Sequence, residues 1–175
     1  MTQLNINVVG AGHWGPNAIG ALHGLPNVNV HTVCDLSEGA LKKVKQRFPS
    51  IETSTDTRAT LADPKVQAVY IATPVSTHFE LAKEALGNGK HVLVEKPLCQ
   101  TSNECLIIEQ EAARKNLVLM VGHVFLFNPS ILKVQEIVQS GNLGKIFYLE
   151  AHRTNLGPVR QDVNAIADLT SHDIS

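Results

Sequence analysis

Gly10-Ala11-Gly12-His13-Trp14-Gly15 follows directly on the apolar run Leu4-Asn5-Ile6-Asn7-Val8-Val9, and Asp35 stands 20 residues beyond the last of these glycines. Glycines at that spacing, between a strand and a helix, can hold a pyrophosphate against main-chain N–H groups. Gly10 permits the tight turn off the strand, Gly12 lets the backbone approach the phosphates, and Gly15 lets the helix pack close to the sheet. The phosphates then sit on the free N–H groups and positive dipole end of that helix. Asp35 closes a second apolar run and can accept hydrogen bonds from a ribose diol. Its charge favours NAD and repels the 2′-phosphate of NADP. His13 and Trp14, inside the turn, join Gly10, Gly12, Gly15 and Asp35 as expected cofactor-binding residues.

Two more polar groups follow apolar runs. Thr73-Pro74 comes after Ala68–Ala72, and Glu95-Lys96-Pro97 comes after His91–Val94. Both are expected at the carboxyl ends of parallel strands, where open α/β sheets bind their ligands. Each proline removes a donor and stiffens its loop, so the loop can line a ligand without collapsing on it.

The elements that must position these residues alternate β and α. A helix is expected from about Trp14 to Gly24 and a strand over Val28–Cys34. Ser37 caps a helix bearing Leu41, Val44 and Phe48, which ends before Pro49. A short strand near Ile51–Thr53 and a loop through Asp63-Pro64 come next. Ala68–Ala72 is a continuous apolar run, suited to a parallel strand buried on both faces. Thr77-His78-Phe79-Glu80 and Thr101-Ser102-Asn103-Glu104 read as capping boxes, and Asn88-Gly89 as a helix stop. A sixth strand is expected over Leu117–Val121. The sum is an α/β fold, a Rossmann-type doubly wound parallel sheet over residues 1–121. Residues 122–175 read differently. A helix over Pro129–Ser140, a turn at Gly141–Gly144 and a strand over Lys145–Ala151 form the incomplete, truncated start of an α+β substrate domain, with too little chain left to close a second core.

Bulk properties narrow the partners. The 175 residues are 43% hydrophobic and 18% charged, with a formal net charge of −1. With no basic block, nucleic acid is not the expected partner. No apolar stretch reaches the roughly 20 residues of a membrane span, and the N-terminus shows no signal-peptide pattern. Cys34, Cys99 and Cys105 lack metal or redox spacing, which suits reduced thiols and a cytoplasmic location. No metal site is expected.

Gly10 to Gly15, Ala72-Thr73-Pro74, His78, Glu95-Lys96-Pro97 and Gly122-His123 together resemble the glucose–fructose oxidoreductase/inositol dehydrogenase (Gfo/Idh/MocA) family. The resemblance covers essentially the whole chain, and Glu-Lys-Pro after the fifth strand is its most specific element. It implies an NAD(P)-dependent oxidoreductase that transfers hydride between nicotinamide and a secondary alcohol of a sugar or nucleotide sugar. By this resemblance Lys96 is catalytic, beside the nicotinamide and the reacting hydroxyl. Thr73, Pro74, His78, Glu95 and His123 line the cofactor pocket.

The tail carries a second likeness. Arg153-Thr154-Asn155-Leu156-Gly157-Pro158 and Asp162-Val163-Asn164 resemble the branch containing nucleotide-sugar 3-dehydrogenases, which makes Arg153 and Asn155 substrate-binding candidates. Asp168-Leu169-Thr170-Ser171-His172-Asp173 is similar to the family's acid/base motif. Asp168 and His172, at i and i+4, share one helical face roughly 5–6 Å apart at Cβ. Imidazole suits exchange of an alcohol proton near neutral pH. Two residues depart from that branch: Ala167 stands where it usually has Trp, and Ser171 where it often has Pro. Family members continue into an open-faced sheet that walls the substrate site and builds a homo-oligomer interface. The competing reading is a truncated, non-catalytic dinucleotide-binding module.

Overall fold

Apolar runs without polar alternation become the central strands. In the computed structural model, which describes residues 3–152 and 171–174, β1 (Leu4–Val9), β2 (Val28–Cys34), β3 (Glu52–Ser54), β4 (Ala68–Ile71), β5 (His91–Val94) and β6 (Leu119–Val121) form one sheet. Its order is β3-β2-β1-β4-β5-β6, and every neighbouring pair is parallel. The direction of winding reverses between β1 and β4, which opens a crevice at the carboxyl ends of the strands. The chain divides into two compact units, Met1–Val121 and Gly122–Ser175.

The first unit has an apolar cluster on each face of its sheet. Val69 and Ile71 of β4 join Leu86 and Ile108 on one side, while Tyr70 joins Ile19, Leu41 and Val44 on the other. Those partners come from helices α1 (Gly15–His23) and α2 (Glu38–Arg47) on one face and α4 (His78–Gly87) and α5 (Ser102–Arg114) on the other. This two-sided burial is the doubly wound arrangement, and it explains why β4 is apolar apart from the Tyr70 hydroxyl. Asn7 is the polar exception, fully buried on β1. The β1–β2 register breaks between Ile6 and Val8. There the Asn7 amide donates to the Thr60 carbonyl (2.8 Å) and accepts the Thr32 N–H (3.0 Å).

Local chemistry sets the helix ends. Ser37 accepts the Ala40 N–H (3.2 Å) at the start of α2. Thr101 and Glu104 form a reciprocal capping box on α5. Gly89, at φ +74°, ends α4 by letting its own N–H reach the Leu86 carbonyl and that of Lys90 reach Ala85. Asn116 does the same after α5 at φ +55°.

Several expectations require correction. The segment between β3 and β4 is not only loop: α3 (Thr57–Ala62) lies there, capped by Asp56, whose carboxylate accepts the Ala59 N–H (2.9 Å). Thr77 makes no side-chain cap, because a single 3-10 turn over Val75–Thr77 precedes α4 and its hydroxyl donates to the Pro74 carbonyl (2.8 Å). The sixth strand starts at Leu119, since the Leu117 N–H closes the end of α5 on Ala112 and the Val118 N–H bonds the His91 ring.

In the second unit, a 3-10 turn over Val124–Phe127 leads into α6 (Pro129–Gln139), capped by Asn128 on the Ser130 N–H (2.9 Å). Gly141 and Gly144, both at positive φ, form the turn that follows. The expected strand over Lys145–Ala151 is irregular instead, with Phe147, Tyr148 and Leu149 more than 80% exposed. A strand needs a hydrogen-bonding neighbour, and none pairs with it among the described residues. The short helix α7 (Ser171–Ile174) completes the described chain.

Candidate functional site

Parallel strands bring four loops to one edge of the sheet. β1 runs into Gly10–Gly15, β2 into Asp35, β4 into Thr73-Pro74, and β5 into Glu95-Lys96-Pro97. The glycines differ in what surrounds them. Gly10 adopts φ +104°, and a Cβ there would lie 2.6 Å from the Ala72 carbonyl group. A Cβ on Gly15 would lie 2.3 Å from the Gly10 carbonyl oxygen. A Cβ on Gly12 would meet nothing within 4 Å. Gly10 and Gly15 are thus demanded by the fold of the loop, whereas Gly12 faces open space.

Helix α1 begins at this loop with no side-chain cap and no acidic residue in its first turn. Its positive end is therefore left for an external anion. Asp35 braces the loop from β2: its Oδ2 accepts the Ala11 N–H (2.6 Å) and its Oδ1 accepts the Ser37 N–H (2.8 Å). Each carboxylate oxygen has a second lone pair, so Asp35 keeps acceptor capacity for a ribose hydroxyl. The open Gly12 face, the uncapped helix end and Asp35 fit a dinucleotide.

On the other side of the switch point, His78 ties two loops together. It is 1% exposed, and its Nδ1 and Nε2 each lie 2.9 Å from a carbonyl oxygen, that of Pro97 and that of Thr73 respectively. The ring therefore ties the loop after β4 to the loop after β5. Thr73 pairs with the Thr77 hydroxyl (2.7 Å).

Lys96 and Glu95 leave β5 half-buried, and the Lys96–Pro97 peptide is cis. The Glu95 N–H extends the ladder to the Ile71 carbonyl (2.9 Å). Its Oε1 accepts the Tyr70 hydroxyl, and its Oε2 accepts the Lys96 backbone N–H (3.3 Å). Burial first, then the Glu95 carboxylate, push the Tyr70 phenol well above its ordinary range. Tyr70 sets a hydroxyl in a run of aliphatics one residue before the end of β4, where the apolar pattern alone signals core.

Within the second unit, the Phe125 and His172 rings meet edge-on with centroids 4.7 Å apart. His123 Nδ1 is buried with no hydrogen-bond partner among the described residues. Arg153, Asn155, Asp168 and Ala167 lie outside the described residues. Among the described residues, no group of three His, Cys, Asp or Glu could hold a metal, and no helix is long and apolar enough to cross a membrane.

Comparison with known proteins agrees with this geometry. The model of the Gfo/Idh/MocA oxidoreductase family, an NAD-binding Rossmann fold, matches residues 4–123. A UDP-N-acetylglucosamine 3-dehydrogenase of Acidithiobacillus ferrooxidans is 34% identical over 99% of this chain and 53% of its own length. An inositol 2-dehydrogenase of Saccharopolyspora erythraea is 31% identical over 98% of this chain and 52% of its own length. Among solved structures, an NAD-binding protein from Listeria innocua superposes with a TM-score of 0.89 at 30% identity, covering 99% of this chain and 53% of that one. The chain spans about half the length of these relatives. With the glycine cradle, the 3-2-1-4-5-6 sheet and a match over residues 4–123, the chain belongs to the Gfo/Idh/MocA family of oxidoreductases.

Proposed function

We propose that the chain supplies the NAD site and part of the substrate site of an enzyme that moves hydride between nicotinamide and a secondary alcohol of a sugar or nucleotide sugar. The observation that carries this reading is the glycine loop, where Gly12 faces open space while Gly10 and Gly15 are closed in. NAD is the cofactor we infer. Asp35 would meet a 2′-phosphate with charge repulsion, and Leu36-Ser37-Glu38 offer no arginine to reverse it. Two relatives with sugar and cyclitol activities, together with the Arg153–Pro158 and Asp168–Asp173 motifs, favour a nucleotide sugar or a cyclitol. Residues 122–175 are proposed as the opening of the substrate domain.

In this reading Gly12 and the first turn of α1 hold the pyrophosphate, and Asp35 orients the adenosine ribose. Bound nicotinamide supplies the hydride acceptor. Lys96 extends from a loop braced by Glu95 and Pro97 and holds the reacting hydroxyl with its ammonium group. By the family resemblance, Asp168 and His172 are the acid/base pair for the hydroxyl proton, which leaves during oxidation and returns during reduction.

Parallel titrations with NADH and NADPH test the cofactor assignment. NADH should bind at least about tenfold more tightly, the order of a buried like-charge penalty. Equal or tighter NADPH binding would refute it. In a form of the protein that turns over sugar, Lys96→Ala should lower kcat by about a hundredfold or more, in line with loss of the group that polarises the reacting hydroxyl, while NADH affinity changes little. Undiminished turnover would leave Lys96 as a loop lysine. Tight NADH binding without turnover of any sugar or cyclitol would favour a binding module.

A further inference from the structure

We propose that Asn7 is a positioning residue for cofactor recognition, because it holds the extra residue of β2 that brings Asp35 to the glycine-rich loop. The inference rests on the Asp35 reading above and adds to it a residue within the sheet. Between the pairs Ile6–Val30 and Val8–Val33, β1 advances two residues while β2 advances three. This is a bulge in β2, and side chains beyond it change faces. Val30 and Val33 join Ile6, Val8 and Ala11 in one apolar cluster, whereas Cys34 joins Val9 in the other. Strict alternation from Val30 would carry Cys34, not Val33, to the face of Ala11. The extra residue returns Val33, and two residues on Asp35, to that face. There the Cys34 carbonyl accepts the Gly10 N–H (2.8 Å) and Asp35 Oδ2 accepts the Ala11 N–H (2.6 Å).

A bulge takes backbone groups out of the ladder, and inside a sheet they need other partners. Asn7 provides one. Its Oδ1 accepts the Thr32 N–H (3.0 Å), and its Nδ2 donates to the Thr60 carbonyl (2.8 Å). Thr60 lies in the last turn of α3, whose final carbonyls have no partner within the helix. The two contacts fix the orientation of the amide, since an N–H only donates and a carbonyl only accepts. Asn7 is fully buried, with Ile6, Val8 and Val9 as its buried neighbours on β1. A valine would suit the strand at this position but would leave the Thr32 N–H and the Thr60 carbonyl without their partner. Packing alone gives no reason for an amide there. The amide is matched to the bulge, and the bulge to the place of Asp35.

Amide exchange and cofactor titrations on the 175-residue chain test the proposal. Asn7→Val should speed exchange at Gly10 and Ala11 by about tenfold, the scale of one charge-assisted hydrogen bond, while β4 and β5 keep their native rates. The ratio of NADH to NADPH affinity should fall by about tenfold as well, because Asp35 is no longer held where it discriminates between them. Native exchange at Ala11, or a native affinity ratio, would overturn the proposal. So would equal acceleration in every strand or an equal loss of both affinities, since either means that Asn7 only stabilises the sheet. If Asn7→Val does not fold, Asn7→Asp decides. The neutral acid can donate to Thr60 and accept from Thr32, whereas the carboxylate can only accept. Protection at Ala11, taken relative to the native chain at the same pH, should match it in acid and fall by about tenfold as the new carboxylate ionises. Protection that follows the native chain at every pH would overturn the proposal. Should the native chain bind neither NADH nor NADPH, the dinucleotide reading falls separately, and exchange at Ala11 alone decides the role of Asn7.

Discussion

Gly12 and Gly15 stand three residues apart in one loop, yet adding a methyl group should have opposite consequences at the two. At Gly12 the new Cβ enters open space. Gly12→Ala should therefore melt close to the native temperature while losing at least about tenfold in NADH affinity, because the methyl occupies the volume through which backbone approaches phosphate. At Gly15 the Cβ would sit 2.3 Å from the Gly10 carbonyl oxygen. Gly15→Ala should destabilise by about 1–3 kcal/mol or more, as overpacking against rigid backbone does. Thermal melts and NADH titrations on both variants check the pair. Loss of stability at Gly12, or its retention at Gly15, would contradict the assigned roles. His78 shows the limit of residue-scale reading. The family resemblance puts it in the pocket lining, and the fold adds a carbonyl against each ring nitrogen. A histidine's type and position in a motif do not reveal which way its ring faces.

The elements that were legible are those whose signals are local. β2 and β5 lie where the apolar runs place them, and the Ser37 and Thr101 caps are as their spacing implies. Helix α3 was missed because six residues, Thr57–Ala62, are too few to show helical periodicity. Its stability must come from Asp56 at one end and from Leu61, fully buried, on its face. Removing the cap with Asp56→Ala should cost about 1 kcal/mol in urea unfolding. Amide exchange should rise first within Thr57–Ala62, and a change below a few tenths of a kcal/mol would mean that tertiary packing alone holds the helix. The strand expected over Lys145–Ala151 failed for the converse reason. Its β-prone run Ile146-Phe147-Tyr148-Leu149 is visible in the sequence, but a strand exists only in a ladder, and the partner is a property of the fold around it.

At the scale of the whole molecule, the buried ionisable groups predict how the fold responds to base. Burial and the neighbouring Cys105 thiol push Cys99 from 9.0 up to about 12. Tyr70 is likewise held above its ordinary 10.0 by burial and by Glu95. Both groups bind their protons more tightly folded than unfolded. Their stabilising contribution is therefore complete below about pH 9, and it is lost as pH rises through the window in which only the unfolded chain ionises. Urea unfolding between pH 8 and 11 should show stability falling with pH, and the fall should be shallower in Cys99→Ala and Tyr70→Phe. A flat profile in the native chain would contradict this account. The Gly10–Gly15 loop, its spacing to Asp35, the alternation of strands and helices, and the Glu95-Lys96-Pro97 motif were all determined by the sequence itself. They arise from short-range causes: backbone freedom at glycine, periodic burial, and capping within a turn. Only the tertiary structure decided that Gly12 faces open space while Gly15 does not, that Asp35 braces Ala11, that His78 joins Thr73 to Pro97, and that Tyr70 reaches from β4 to Glu95. The last three join residues from different strand ends, and a parallel sheet sets such neighbours by its strand order, which no local pattern encodes.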